Sequence, residues 1–361
     1  MKAAEMELKE YFERFSSDCT AGSANQKLTE NEETVTLTGR CPYMLSHGGE
    51  NYSLLFGGAT DSTFGESRVC NANAVGDPWT ILSMRVGIDK GSGEPEVFHT
   101  VTFGGSRTRT VDSPDLFCTD PIPLNAKAGD RMIYEITISG RRYPYHEEIV
   151  LPAVIKGEDG IFRPGKTFPV PLMIGSDRPV SKRVGFLGDS ITQGCGTEVD
   201  SYTHWAEKIA EGLPDDISVW DLGIGYARAY DAATDALWLY RAKQCDTVNV
   251  CLGVNDLLRD RTADEVISDI TAVVRSLKKA GCRVILFTVP PFDMTGEAKE
   301  RWYAVCGAVR GYLGREADDV FDFADVLGRP APERHMSIYG GHPNAEGCAV
   351  LAKAYLKAGL I

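Results

Sequence analysis

No run in the 361-residue sequence approaches the roughly 18 apolar residues of a membrane span, and residues 1–7 lack the apolar core of a signal peptide. The expected location is the cytoplasm, with no membrane partner. Positive charge is also short. Against 51 Asp and Glu stand 38 Lys and Arg, a formal charge of −13, so the surplus that neutralises phosphates is missing and nucleic acid is not an expected partner. The ten cysteines form no C-x-x-C pair and no metal-finger spacing, which predicts free thiols. Several, such as Cys251 and Cys282, lie in apolar runs where cysteine behaves as a small hydrophobe. His204 and His335 have no partner at metal-ligand spacing, so no metal is expected. Gly223-Ile224-Gly225 lacks the third glycine and downstream acid of a dinucleotide fingerprint, so no nucleotide cofactor is expected either.

What is present is ordinary globular material, 43% hydrophobic and 25% charged, in a length that favours two domains. The texture changes at the polar residues 176–183, placing one domain at 1–175 and a second at 184–361. The first has a helical signal over residues 6–15 and otherwise alternates apolar and polar residues between Gly, Pro, Asn and Asp clusters. Leu82, Met84, Val86 and Ile88, then Val97, Val101 and Phe103, then Met132, Tyr134, Ile136 and Ile138 are each spaced to line one face of a sheet. This predicts an all-β sandwich.

The second half reads as an α/β domain in which strands alternate with amphipathic helices. Strands are predicted over 184–187, 217–222, 245–252, 284–289 and 320–323, giving a five-stranded parallel sheet flanked by helices. Tyr202, Trp205, Ala206, Ile209 and Leu213 mark one helical stripe, and residues 231–242 read as the next helix. Thr262 with Glu265 forms a capping box, Gly281 closes that helix, and further helices are predicted over 297–313 and 344–356. In open sheets of this kind ligands bind beyond the carboxyl ends of the strands.

Three short motifs fall at those ends. Gly188-Asp189-Ser190 follows the first strand, where a hydroxyl could face the crevice, although a helix-capping serine would read the same. Gly253-Val254-Asn255-Asp256 puts an amide donor at the end of the third strand, and His342-Pro343-Asn344 puts an imidazole before the last helix. Acyl transfer to serine needs a hydroxyl, a base to remove its proton and preplaced N–H donors for the oxyanion. Ser190, His342 and Asn255 fit those roles.

The same motifs, in this order, resemble those of the SGNH (GDSL-type) hydrolases. The resemblance implies a flavodoxin-like SGNH domain, a Ser190 nucleophile, a His342 base and an oxyanion hole formed by the N–H groups of Ser190 and Gly225 with the Asn255 amide. The second motif block departs from the family pattern: Asp221-Leu222-Gly223-Ile224-Gly225-Tyr226 carries Tyr226 where the functional glycine aligns. A second departure is Tyr339, three residues before His342, where the family usually has aspartate. A backbone carbonyl, Glu333 or Asp325 is left to orient the imidazole. The first half is similar to the jelly-roll-like β-sandwich that precedes some SGNH esterases resembling carbohydrate acetyl esterases.

These implications give a serine esterase for short-chain, acetyl esters of carbohydrates, with a small-molecule or oligosaccharide ester as its partner. An acyltransferase using the same acyl enzyme, or a catalytically impaired carbohydrate-binding protein, is the alternative, and a homo-oligomer is left open. Asp189, Tyr226, Arg228 and Tyr339 are candidate substrate contacts. Arg259 has the same reading, with a surface salt bridge as the competitor for it and for Arg228, and His146 is read as a surface histidine or as part of a loop reaching the site.

Overall fold

The computed structural model describes residues 5–61, 63–65, 68–70, 74–328 and 341–361. The chain forms two compact units, Met1–Glu66 with Asn73–Val180 and Ser67–Ala72 with Ser181–Ile361.

Alternating apolar residues build the first unit into two antiparallel sheets. In one, Gly48–Gly57 pairs with Met173–Ser176, Leu116–Cys118 and Ile122–Lys127, and Ser16–Ser17 adds beyond Met173–Ser176. In the other, Arg131–Gly140 lies between Val35–Met44 and Trp79–Asp89. Val154–Lys156 and Phe162–Pro164 continue that sheet beyond Val35–Met44, and His99–Thr100 and Arg109–Val111 both pair with Trp79–Asp89. The sheets meet face to face: Phe56 of the first and Tyr134 of the second have ring centroids 6.2 Å apart.

Met132, Tyr134, Ile136 and Ile138 are all buried, as their alternation predicts. The stripe beginning at Leu82 is corrected. Ser83 pairs with Thr137 but Ile81 with Ile138, so Leu82 is an extra, bulged residue; Ile81 turns inward with Met84 and Val86, and Leu82 is left 40% exposed. Val97 is also exposed, because it precedes the two-residue strand His99–Thr100. The opening helix spans Leu8–Arg14 and buries Tyr11 and Phe12.

The second unit is the predicted α/β layer structure. β1 (Lys182–Gly188), β2 (Ile217–Gly223), β3 (Thr247–Cys251), β4 (Arg283–Phe287) and β5 (Asp319–Phe321) form one parallel sheet in the order β2-β1-β3-β4-β5. Around it lie α1 (Ser190–Gln193), α2 (Trp205–Ala210), α3 (Ala229–Ala233), α4 (Leu237–Ala242), α5 (Val254–Leu257), α6 (Ala263–Lys279), α7 (Gly296–Arg310), α8 (Phe323–Leu327) and α9 (Ala345–Ala358). On one face Phe186, Phe287 and Phe321 of the strands pack with Trp205 of α2 and Tyr355 of α9, with ring centroids 4.9 to 6.1 Å apart.

The Thr262 capping box forms as predicted, each partner accepting the other's backbone N–H, and α6 buries Val266, Ile270, Val273, Val274 and Leu277. The single helix predicted over 231–242 is instead α3 and α4, broken where Asp235 takes a left-handed φ of 57°. Tyr202, at φ 51°, stands outside α2 for the same reason. Nine cysteines of the described residues are free thiols, and no described helix is long and apolar enough to cross a membrane.

From β1 the chain runs to β2 on one side and later to β3 on the other. Between the carboxyl ends of β1 and β3 the connections therefore run to opposite sides, the position at which open sheets of this kind bind ligands.

Candidate active site

β1 ends at Gly188, and Asp189 then caps α1, its Oδ1 accepting the Ile191 N–H at 3.0 Å. This cap makes Ser190 the first residue of the helix. α1 lies very close to the end of β2: a Cβ on Gly223 would stand 2.1 Å from the backbone nitrogen of Gln193. His342 arrives from the other end of the unit, just ahead of Asn344, whose Oδ1 caps α9 by accepting the Gly347 N–H at 2.8 Å. Ser190 Oγ and His342 Nε2 lie 2.8 Å apart.

Two neighbours set the imidazole. Phe292, in the loop after β4, meets it edge-on with centroids 5.1 Å apart. On the other side Gly196, at φ 104°, leaves room that a side chain would take, since a Cβ there would be 3.0 Å from His342 Cβ and 2.7 Å from the Pro343 carbonyl. Tyr339, Glu333 and His335 lie outside the described residues. Asp325 is described: it is exposed on α8, close to Arg310 and Asp322.

Asn255 sits in α5, directly after the turn at Gly253, and is buried. Its Nδ2 donates to the Ala227 carbonyl at 3.1 Å and, at the long distance of 3.4 Å, to Asp189 Oδ2. Its Oδ1 accepts from Arg259 Nη1 at 3.0 Å. The next residue, Asp256, accepts the N–H groups of Ala229 and Tyr230 and pairs with Arg261, so the end of β3 is tied to the start of α3. Burial pushes the Asp256 carboxyl up to about 6. It pushes Asp189 up to about 7, aided by the charge of Asp256 and opposed by the bond from Ile191.

The turn after β2 differs from the expectation for Gly225. Its N–H donates to Gln193 Oε1 at 2.6 Å, so this donor is committed inside the fold. The next residue, Tyr226, is half-buried and has φ 65°, the left-handed region in which a glycine is favoured.

Other candidates move as well. Asp189 is fully buried beneath Ser190, so it cannot touch a substrate as expected; it holds the serine turn. Arg228 donates from its guanidinium to both Asp231 carboxylate oxygens and from its backbone N–H to Asp231 Oδ2 at the start of α3, and its guanidinium lies over the Tyr230 ring. Arg259 makes no carboxylate ion pair among the described residues and donates instead to the two carbonyl oxygens of Asn255. His146 is buried, not on the surface, and its Nε2 lies 2.7 Å from Gln26 Nε2. His204 is also buried, with Nε2 3.7 Å from an Asp221 carboxylate oxygen. Among the described residues no cluster of His, Cys, Asp and Glu has the makings of a metal site. Sequence reasoning passed over Gln193 altogether, because nothing local marks a glutamine that reaches across to the next βα turn.

Residues 186–350 match the model of the GDSL-like lipase/acylhydrolase family. Among curated proteins none matches the chain. Among solved structures, the chain is similar to a family two carbohydrate esterase from Clostridium thermocellum, solved with cellohexaose, at 14% identity over 96% of this chain and 99% of that one, with a TM-score of 0.42. It is similar to the acetyl xylan esterase AlAXEase at 23% identity over 50% of this chain and 100% of that one, TM-score 0.41. It is also similar to a point mutant of Axe2, an acetyl-xylooligosaccharide esterase from Geobacillus, at 21% identity over 51% of this chain and 96% of that one, TM-score 0.39.

Proposed function

We infer that this chain, whose residues 186–350 match the model of the GDSL-like lipase/acylhydrolase family, is a serine esterase. The observation that carries the reading is the 2.8 Å approach of Ser190 Oγ to His342 Nε2 at the carboxyl edge of the parallel sheet. A serine hydroxyl is a weak nucleophile until a base within hydrogen-bond reach removes its proton.

With Nε2 unprotonated, the hydroxyl donates to it. Ser190 Oγ attacks the acyl carbonyl while His342 takes the proton, and a tetrahedral oxyanion forms. His342 then protonates the alcohol oxygen as its bond to the acyl carbon breaks. Water attacks the acyl enzyme, giving one proton to His342, and the acid departs as that proton returns to Ser190 Oγ.

The oxyanion donors in this reading are the N–H of Ser190, the N–H of Tyr226 and Asn255 Nδ2. Tyr226 replaces Gly225 because the Gly225 N–H is held by Gln193 and because Tyr226 has the left-handed backbone. For Asn255, the weak 3.4 Å bond to Asp189 is the one an oxyanion would displace. The substrate proposed is a short acyl ester of a carbohydrate, on the resemblance of the first half to the β-sandwich that precedes some SGNH esterases similar to carbohydrate acetyl esterases.

The test is hydrolysis of p-nitrophenyl acetate, butyrate and octanoate by the full chain beside Ser190→Ala and His342→Ala. Turnover confined to acetate and lost in both variants supports the reading, and acetylated oligosaccharides follow as substrates. Full activity in Ser190→Ala would falsify the mechanism.

A further inference from the structure

An asparagine amide can serve an oxyanion only if its nitrogen end faces the site, and the two ends of the amide have nearly the same shape. Something must therefore decide which way Asn255 points. Arg259 is placed to do so. Its Nη1 lies 3.0 Å from Asn255 Oδ1 and 3.1 Å from the Asn255 backbone carbonyl, a fork spanning one turn from α5. A guanidinium has donors only, so whatever amide atom faces it must be the oxygen. The opposite end, Nδ2, is then directed to the side of Asp189 and the Ala227 carbonyl.

The surroundings keep Arg259 available for this. Its two neighbouring arginines are occupied by carboxylates: Arg228 by Asp231, and Arg261 by Asp269 and Asp256. Arg259, half-buried, has no carboxylate ion pair among the described residues, and its side-chain hydrogen bonds among them go to Asn255. Burial and the neighbouring Arg228 guanidinium disfavour its charge, the nearby Asp231 and Asp256 carboxylates and Tyr226 oppose them, and its side-chain bonds to Asn255 are charge-assisted.

We propose that Arg259 is a positioning residue: it fixes the amide of Asn255 with the nitrogen toward the oxyanion site, and so acts on the transition state without touching the substrate. The proposal rests on the reading of Asn255 Nδ2 as an oxyanion donor. Replacing Arg259 by an apolar side chain frees the amide to turn or rotate, which lowers kcat and leaves ground-state binding in place.

The experiment is steady-state hydrolysis of p-nitrophenyl acetate by the full chain and by Asn255→Ala, Arg259→Met, Arg259→Lys and the double variant Asn255→Ala/Arg259→Met, each with its thermal midpoint recorded. Arg259→Met is expected to lower kcat by about 10- to 100-fold, less than deletion of a donor, with KM changed by no more than about twofold. Arg259→Lys should recover part of the loss, since an ammonium also only donates. The double variant should be no slower than Asn255→Ala alone, because the partner through which Arg259 acts is gone. Should Arg259→Met fail to fold, Arg259→Gln takes its place in the cycle, since glutamine can present either donor or acceptor and no longer selects the amide oxygen. Parental kcat in the Arg259 variant, or losses that multiply in the double variant, overturn the proposal. Parental kcat in Asn255→Ala with none in Ser190→Ala is a different result: there the oxyanion reading itself has failed, and the role of Arg259 falls with it.

Discussion

Gln193 Oε1 takes the N–H of Gly225 at 2.6 Å, joining the last residue of α1 to the turn after β2. The bond commits the Gly225 donor, and in the proposed mechanism the next peptide, that of Tyr226, supplies the N–H instead.

Two substitutions at Tyr226 separate its backbone from its side chain. Tyr226→Gly removes a left-handed φ that costs a non-glycine residue about 1 kcal/mol, and keeps the N–H. Its kcat should stay within a few-fold of the parent on p-nitrophenyl acetate. Tyr226→Pro removes the donor and demands φ near −65°, so activity should drop by at least about 100-fold. Equal activity in the two variants would remove Tyr226 from the oxyanion hole.

Asn255→Ala deletes one proposed donor while leaving Ser190 and His342 in place. Steady-state kinetics should show kcat lower by about 10² to 10³ with a nearly unchanged KM. A loss below tenfold would make Asn255 part of the scaffold only.

Gly223→Ala tests the packing under the site. The new methyl would stand 2.1 Å from the Gln193 nitrogen and 2.7 Å from the Thr192 carbonyl carbon, both backbone atoms with nowhere to swing. Denaturant unfolding should show a loss of about 1–3 kcal/mol, accompanied by reduced kcat because α1 carries Ser190. Parental stability and rate together would mean that α1 shifts without cost.

Asp18 gives a pH prediction in the first unit. Burial pushes its carboxyl from 3.8 up to about 6, against the bonds it accepts from Tyr52, His47 and Gly48. The folded chain therefore keeps a proton that the unfolded chain has released between those two values. The stability contributed by this group is complete below pH about 4 and is lost as pH rises through about 6. Relative to Asp18→Asn, the parent should lose of order 3 kcal/mol of unfolding free energy between pH 4 and pH 7. A relative gain over that range would mean that Asp18 is ionised in the folded protein.

The legible parts of the sequence are those whose physics is local. Thr262 and Glu265 are three residues apart and cap α6 as written, and the apolar runs that become β1 to β4 are buried in a parallel sheet, as continuous apolar text requires. Ser190, Asn255 and His342 each follow a strand or precede a helix, so their arrival at one edge of the sheet could be read from element order. The illegible parts depend on one extra residue or one dihedral. Leu82 is bulged by pairing with a strand some fifty residues away, which period-two alternation cannot register. Tyr226 hides a left-handed backbone behind a residue type that rarely adopts one. Arg259 follows Asn255 by four residues and looks in the sequence like any exposed cation; only the geometry shows it bonded to that asparagine.

The position of β1 also bears on how the second unit breathes. β1 is hydrogen-bonded on both sides, to β2 and to β3, whereas β2 and β5 close the sheet at its edges. Central strands open last in native-state exchange, so the amides of β1 belong to the slowest-exchanging set of the domain. The serine therefore follows directly on one of the least fluctuating stretches of the domain. Any yielding needed to admit a substrate must come from the loops opposite it.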